Sequence, residues 1–324
     1  MSLLKRFFSF SLILFSLASA VLADSTRVCA SDPYADPAND PCNIMKYIPS
    51  NALTSIALIL ILAAGIVHIF NMCKWGGYFM LVMTIGTFTY AGGIAIRYAL
   101  HSNPQSTNTY IAESTLVILS PCLFIASEYM LLGRLATYLD RSNYLWIRAQ
   151  RITKVFVVSD VLTFLIQGSG SGLTASASSE DSAKLGNDII LAGLILQLIS
   201  FIIFSLMLFT FLWKVHQNDR ALWRKDMNES WMQDWRYLAF ALTLSCVVIN
   251  IRCIYRAIEF AGGYDGSIAT NEGLFYIFDV LQMFLTVASY ALIWPGRYLR
   301  PTSQSFKVPY NTVDHDSNVP LRSF

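Results

Sequence analysis

The stretch IRCIYRAIEFAGGYDGSIATNEGLFYIFDV, residues 251–280, sets Arg252, Arg256, Glu259, Glu272 and Asp279 inside or beside two apolar segments. A charge at the centre of a spanning helix costs at least about 2.5–3.5 kcal/mol on insertion scales. Membrane helices keep such residues where they pair, face a watery cavity or act on a ligand. The stretch therefore reads as two spanning helices joined by a short loop, with their charges turned inward.

The rest of the chain agrees. It has 324 residues, 55% hydrophobic and only 14% charged, whereas a soluble domain carries roughly 25% charge. Seven apolar stretches reach spanning length, at about 48–70, 76–100, 111–133, 152–173, 188–213, 237–261 and 274–295. The expected fold is all-α, a polytopic membrane protein with seven transmembrane helices.

Lysine and arginine orient it. The connections on one side, with the C-terminal tail, hold 15 of them, from Lys74 to Arg322; the other side holds Arg27, Lys46 and Lys184. The N-terminus is expected outside and the C-terminus in the cytoplasm. Residues 1–23 read as a signal peptide: Lys5 and Arg6, an apolar run from Phe7 to Leu17, then small residues before Asp24. An uncleaved anchor is the alternative. Residues 24–47 form an extracytoplasmic segment, 48–300 the seven-helix membrane domain and 301–324 a disordered cytoplasmic tail. Cys29 and Cys42 fall in the external segment, where a disulfide between them would persist. The sequon Asn228-Glu229-Ser230 lies in a cytoplasmic connection and should stay unmodified. Residues 168–183, rich in Gly and Ser, read as a flexible external loop. Trp213, Trp223, Trp231 and Trp235 beside basic residues read as headgroup anchors.

Residues at i, i+4 and i+7 share a helix face. Such faces carry Arg252, Arg256 and Glu259 in the sixth span; Glu272, Asp279 and Gln282 in the seventh; Asp160 and Gln167 in the fourth. Three polar stripes are thus expected to face one another in the external half of the bundle. Arg97 and Glu113 stand at that end of the second and third spans, where they would join the cluster or snorkel. Asp160 and Glu128 lie nearer the cytoplasmic half and would extend a polar track. The bland alternative is that these charges only clamp helices together.

Several chemistries are disfavoured. There is no phosphate loop, no His-Glu-x-x-His and no Gly-x-Ser-x-Gly elbow, and the four histidines are scattered. The seventh span has no lysine for a Schiff base. No catalytic constellation, metal site or cofactor is expected. The expected partners are membrane lipids or amphiphilic small molecules, not nucleic acid, with cytoplasmic regulators of the tail as a further candidate class.

Four strings resemble the fungal lipid-translocating exporter family: SPCLFIASEYMLLGR (120–134), SDVLTFLIQGSGSG (159–172), GNDIILAGLILQLISFIIF (186–204) and the opening stretch with its Arg-x-x-x-Arg-x-x-Glu. The resemblance covers most of residues 45–300. Family members end the seventh span with His-Pro-Gly, where this chain has Trp294-Pro295-Gly296. The resemblance implies a fungal protein that moves or handles amphiphiles such as sphingoid long-chain bases and phospholipids, and confers resistance to toxic ones. It implies the secretory pathway and the plasma membrane. A seven-transmembrane lipid sensor that signals membrane asymmetry is the alternative.

Overall fold

The computed structural model describes residues 30–40, 42–175, 180–224, 234–263, 266 and 268–299. Seven long helices occur in order: α1 (Asn51–Trp75), α2 (Leu81–Ser102), α3 (Thr107–Tyr138), α4 (Ala149–Ala175), α5 (Glu180–Asn218), α6 (Trp235–Ala261) and α7 (272–292). All seven are long and apolar enough to cross a membrane. Among the described residues no strand occurs. The chain is a seven-span integral membrane protein.

Capping sets several boundaries. Ser106 accepts the Thr109 amide to start α3, Asp234 accepts the Arg236 amide to start α6, and Asn271 accepts those of Gly273 and Leu274 to start α7. Each α1–α7 neighbour pair packs in sequence, and α7 closes the ring against α1. The most buried helix is α3. Its Tyr129 meets Phe156 of α4 and Phe204 of α5 in the apolar core. Outward faces carry Ile59, Ile66, Phe70, Leu206 and Phe240, as lipid contact requires.

Three expectations need correction. Helix α4 runs to Ala175 and α5 begins at Glu180, so most of the Gly/Ser-rich segment is helical. The glycines serve contact. A Cβ on Gly170 would stand 2.7 Å from the Gly186 carbonyl, and one on Gly193 would stand 3.1 Å from that of Thr163. Ser171 and Thr174 return their hydroxyls to the carbonyls one turn earlier. Second, Trp235 is buried and stacks edge-on against Trp223, which does the same with His216, so these two tryptophans pack rather than anchor. Trp213 remains exposed. Third, α3 and α5 are longer than the apolar stretches that announced them.

Before α1, residues 30–40 and 42–50 form turns. Asp40 receives the amides of Ala30 and Cys42 and the amide group of Gln105. Burial pushes its carboxyl up, but these donors outweigh it and hold it below the usual value of 3.8. Cys42 is disulfide-bonded; its expected partner Cys29 lies outside the described residues. So do the signal peptide, the sequon with Trp231, and the tail.

Candidate functional site

The charged residues of the opening stretch converge at the end of the bundle that carries residues 30–50. Helix α7 makes this possible by an irregularity. Its α-helical turn Glu272–Phe275 passes into a π-helical turn, Tyr276–Val280, before regular helix resumes at Leu281–Leu292. A π turn inserts an extra residue and rotates the helix beyond it, and such turns gather at functional sites. Asp279 sits in this turn and is fully buried.

Asp279 holds two arginines at once. Its Oδ2 accepts from Arg256 Nε at 2.5 Å and stands 3.1 Å from Arg252 Nη2. Its Oδ1 accepts from the Tyr90 hydroxyl of α2 at 2.7 Å. Arg256 also donates from Nη1 to Glu259 Oε2 at 2.9 Å. Arg252 reaches across to α3, where its Nη2 donates to the Val117 carbonyl at 3.2 Å. That carbonyl is free because Pro121, four residues on, has no N–H to give it. A proline in one helix thereby makes a docking point for a guanidinium in another.

A second node centres on Arg97, which is 1% exposed. Its Nη1 donates to Glu113 Oε1 at 3.2 Å, and its Nη2 lies 3.0 Å from the Tyr47 hydroxyl and 3.4 Å from Glu272 Oε1. Glu272 also receives the Ser50 amide at 2.8 Å and stands in the first turn of α7, where a helix N-terminus favours an anion. Arg97 and Glu113 therefore do not snorkel. Burial pushes the Tyr47 hydroxyl up to about 12, against the opposing pull of Arg97. The Phe275 ring joins the nodes: its centroid is 4.4 Å from the Arg97 guanidinium and 5.4 Å from that of Arg256, within cation–π range.

Between the nodes lies a partly open cavity of about 70 Å³. Glu113, Glu259, Arg97, Arg256, Tyr47 and Asn187 line it. It has room for several water-sized groups. The Asn187 amide donates to the Phe260 carbonyl at 3.1 Å, and its Oδ1 has no partner. Three guanidiniums face four carboxylates across the two nodes. The excess is negative, and two of the carboxylates, Glu113 and Glu259, face the cavity.

Other expected site residues fall elsewhere. The π turn breaks the regular spacing that put Gln282 on one face with Glu272 and Asp279, and its amide turns back to the Ile277 carbonyl. Gln167 pairs with Gln197 of α5 at 2.9 Å. Asp160 lies buried against α3 without joining the ion pairs. The α4 stripe thus faces α3 and α5, not α6 and α7. Sequence reading missed Tyr47, Tyr90, Phe275 and Asn187 as neighbours of the cluster. Aromatic and amide residues are ordinary in such segments, and nothing in their spacing marks them. Among the described residues no three His, Cys, Asp or Glu side chains are placed to hold a metal ion.

Comparison with known proteins gives one family and several relatives. The family model described as RTA1 like protein matches residues 83–302. In Saccharomyces cerevisiae, Protein RTA1 is 35% identical over 65% of this chain and 63% of its own length. Protoporphyrin uptake protein 1 is 33% identical over 64% of this chain and 65% of its own. The sphingoid long-chain base transporter RSB1 is 24% identical over 67% of this chain and 64% of its own. The chain thus spans just under two thirds of the length of these relatives. No solved structure matches.

Proposed function

This chain belongs to the RTA1-like protein family, and on that premise we propose that it moves cationic amphiphiles of the sphingoid long-chain-base kind across a fungal membrane. The cavity takes the headgroup while the acyl chain stays in lipid. One observation carries this reading: two carboxylates, Glu113 and Glu259, face a cavity in which every arginine already has a carboxylate partner. A phosphate would need a free guanidinium face. An ammonium needs acceptors, which the two carboxylates supply. The volume suits a headgroup and not a chain. We place this activity at the plasma membrane, with resistance to toxic amphiphiles as its consequence, and assign no enzymatic role.

The test is purified protein in lipid vesicles with labelled phytosphingosine and, separately, labelled phosphatidylcholine. Movement of the long-chain base above protein-free vesicles is expected, falling at least tenfold in Glu113→Gln/Glu259→Gln, with phosphatidylcholine unaffected. Background movement of both lipids would exclude transport. Lipid-dependent signalling that survives in that case and is lost in Arg252→Ala would favour the sensor reading.

A further inference from the structure

Six carboxylic side chains line the interior of the described spans, and they fall into two classes. Glu113, Glu259, Glu272 and Asp279 each lie within 3.4 Å of a guanidinium. Glu128 and Asp160 have none. Glu128 accepts from the Ser245 hydroxyl and, at 3.6 Å, from the Cys246 thiol. Asp160 is 4% exposed, and both of its oxygens are buried without a well-formed hydrogen bond. An ionised carboxylate so placed, with no cation beside it, is one of the costliest groups a bundle can hold.

Its depth is telling. Asp160 lies 11 residues beyond the start of α4, or about 16 Å of helix, and so within the cytoplasmic half of a hydrocarbon core of roughly 30 Å in the expected topology. Its titratable neighbours are Cys122 and Tyr129 of α3, with Cys253 of α6 beyond them. None is a cation. Arg252, which shares Cys122 and Cys253 with Asp160 as neighbours, is committed to Asp279 and the Val117 carbonyl. The Tyr129 hydroxyl stands close by, but it too is buried without a well-formed hydrogen bond. From here a file of polar groups leads toward the charged cavity. Gln197 donates to Cys122 Sγ at 3.5 Å and accepts from Gln167, whose Oε1 is unpartnered. Val117 lies five residues before Cys122 on α3 and receives Arg252, which reaches Asp279.

We propose that Asp160 is a proton-exchange site that couples movement of the cationic amphiphile to a proton gradient. One proton binds a carboxylate oxygen of Asp160 from one side and leaves to water on the other as the headgroup crosses in the opposite direction; no other bond changes. Asp279 is unsuited to this, because it is the shared counter-charge of two arginines and the acceptor of Tyr90. The inference rests on the proposed transport activity, and two measurements separate them.

The first is vesicle transport of a quaternary-ammonium analogue of the long-chain base, which cannot itself carry a proton, with a pH dye trapped inside. Wild type is expected to move protons against the probe, and an imposed pH gradient to speed it at least tenfold. Asp160→Asn should keep downhill movement and lose both effects, and Asp160→Glu should restore them. Gradient-driven movement equal to wild type in Asp160→Asn overturns the proposal. The second is infrared spectroscopy of the purified protein, which needs no transport. A protonated-carboxyl carbonyl band that is present in wild type, titrates with pH and is missing in Asp160→Asn supports the site even if no lipid moves. Identical spectra in the two proteins overturn it. Asn mimics the protonated carboxyl, so folding should survive the substitution.

Discussion

Asp279 serves three side chains at once. It neutralises Arg252 and Arg256 with one oxygen and takes the Tyr90 hydroxyl with the other. Removing one partner of a buried ion pair strands the rest, at about 3–5 kcal/mol. Asp279→Asn should therefore lower stability by about that much, read from unfolding in detergent. Adding Arg252→Gln should cost less than its effect alone, since both changes delete one contact. At the opposite end, Arg141 grips Asp219 with Nε at 2.8 Å and Nη2 at 3.1 Å, and Tyr144 donates to the same carboxylate at 2.8 Å. The hydrogen bond from Arg141, then that from Tyr144, holds the Asp219 carboxyl below its usual value of 3.8. A depressed carboxyl contributes stability above its unfolded value and loses it as pH falls through the folded one. The difference in melting temperature between wild type and Asp219→Asn should thus be constant from pH 8 to about 5 and vanish only below the ordinary carboxylate range.

The helices show how local rules bend to contact. Glycine in a helix interior usually costs about 0.5–1 kcal/mol relative to alanine, yet α4 and α5 carry several. Their surroundings divide them. A Cβ on Gly186 would stand 2.8 Å from the Thr174 amide nitrogen and 2.9 Å from the Gly170 carbonyl, both backbone atoms that cannot swing aside. A Cβ on Gly168 would meet nothing within 4 Å. Gly186→Ala should destabilise by about 1–3 kcal/mol through overpacking. Gly168→Ala should be neutral or stabilising by up to about 1 kcal/mol. Thermal unfolding of the pair checks both; equal effects would mean that the α4–α5 contact is looser than the geometry has it. The π turn in α7 is the other departure, and no residue in Tyr276–Val280 announces it.

For the molecule as a whole, the asymmetry of lysine and arginine predicts an external N-terminus and, with it, a cavity at the external end. Asn228 should therefore carry no glycan in cells, and a sequon introduced between residues 31 and 39 should gain one. The reverse pattern, read by a glycosidase-sensitive mobility shift, would invert the molecule and put the cavity in the cytoplasm. The seven spans were legible because apolar length and charge placement are local properties that survive any packing. The Arg252–Arg256–Asp279 contact was legible too, since helical spacing and the cost of buried charge demand partners nearby. Asp160 and Gln167 were expected in the same cluster and are not there. A stripe says which residues share a face, not which neighbour that face meets.

By itself the amino-acid sequence determined that the chain crosses a membrane seven times and that buried arginines and carboxylates must find each other. Bilayer energetics acts on each segment separately, so those conclusions need no neighbours. Tertiary structure alone decided that α7 slips into a π turn to bring Asp279 under two arginines, that Pro121 frees a carbonyl for Arg252, and that Phe275 spans the two nodes. It alone left Asp160 without a cation. Which helix faces which depends on side-chain shapes meeting across the whole bundle, and no window along the chain contains that information.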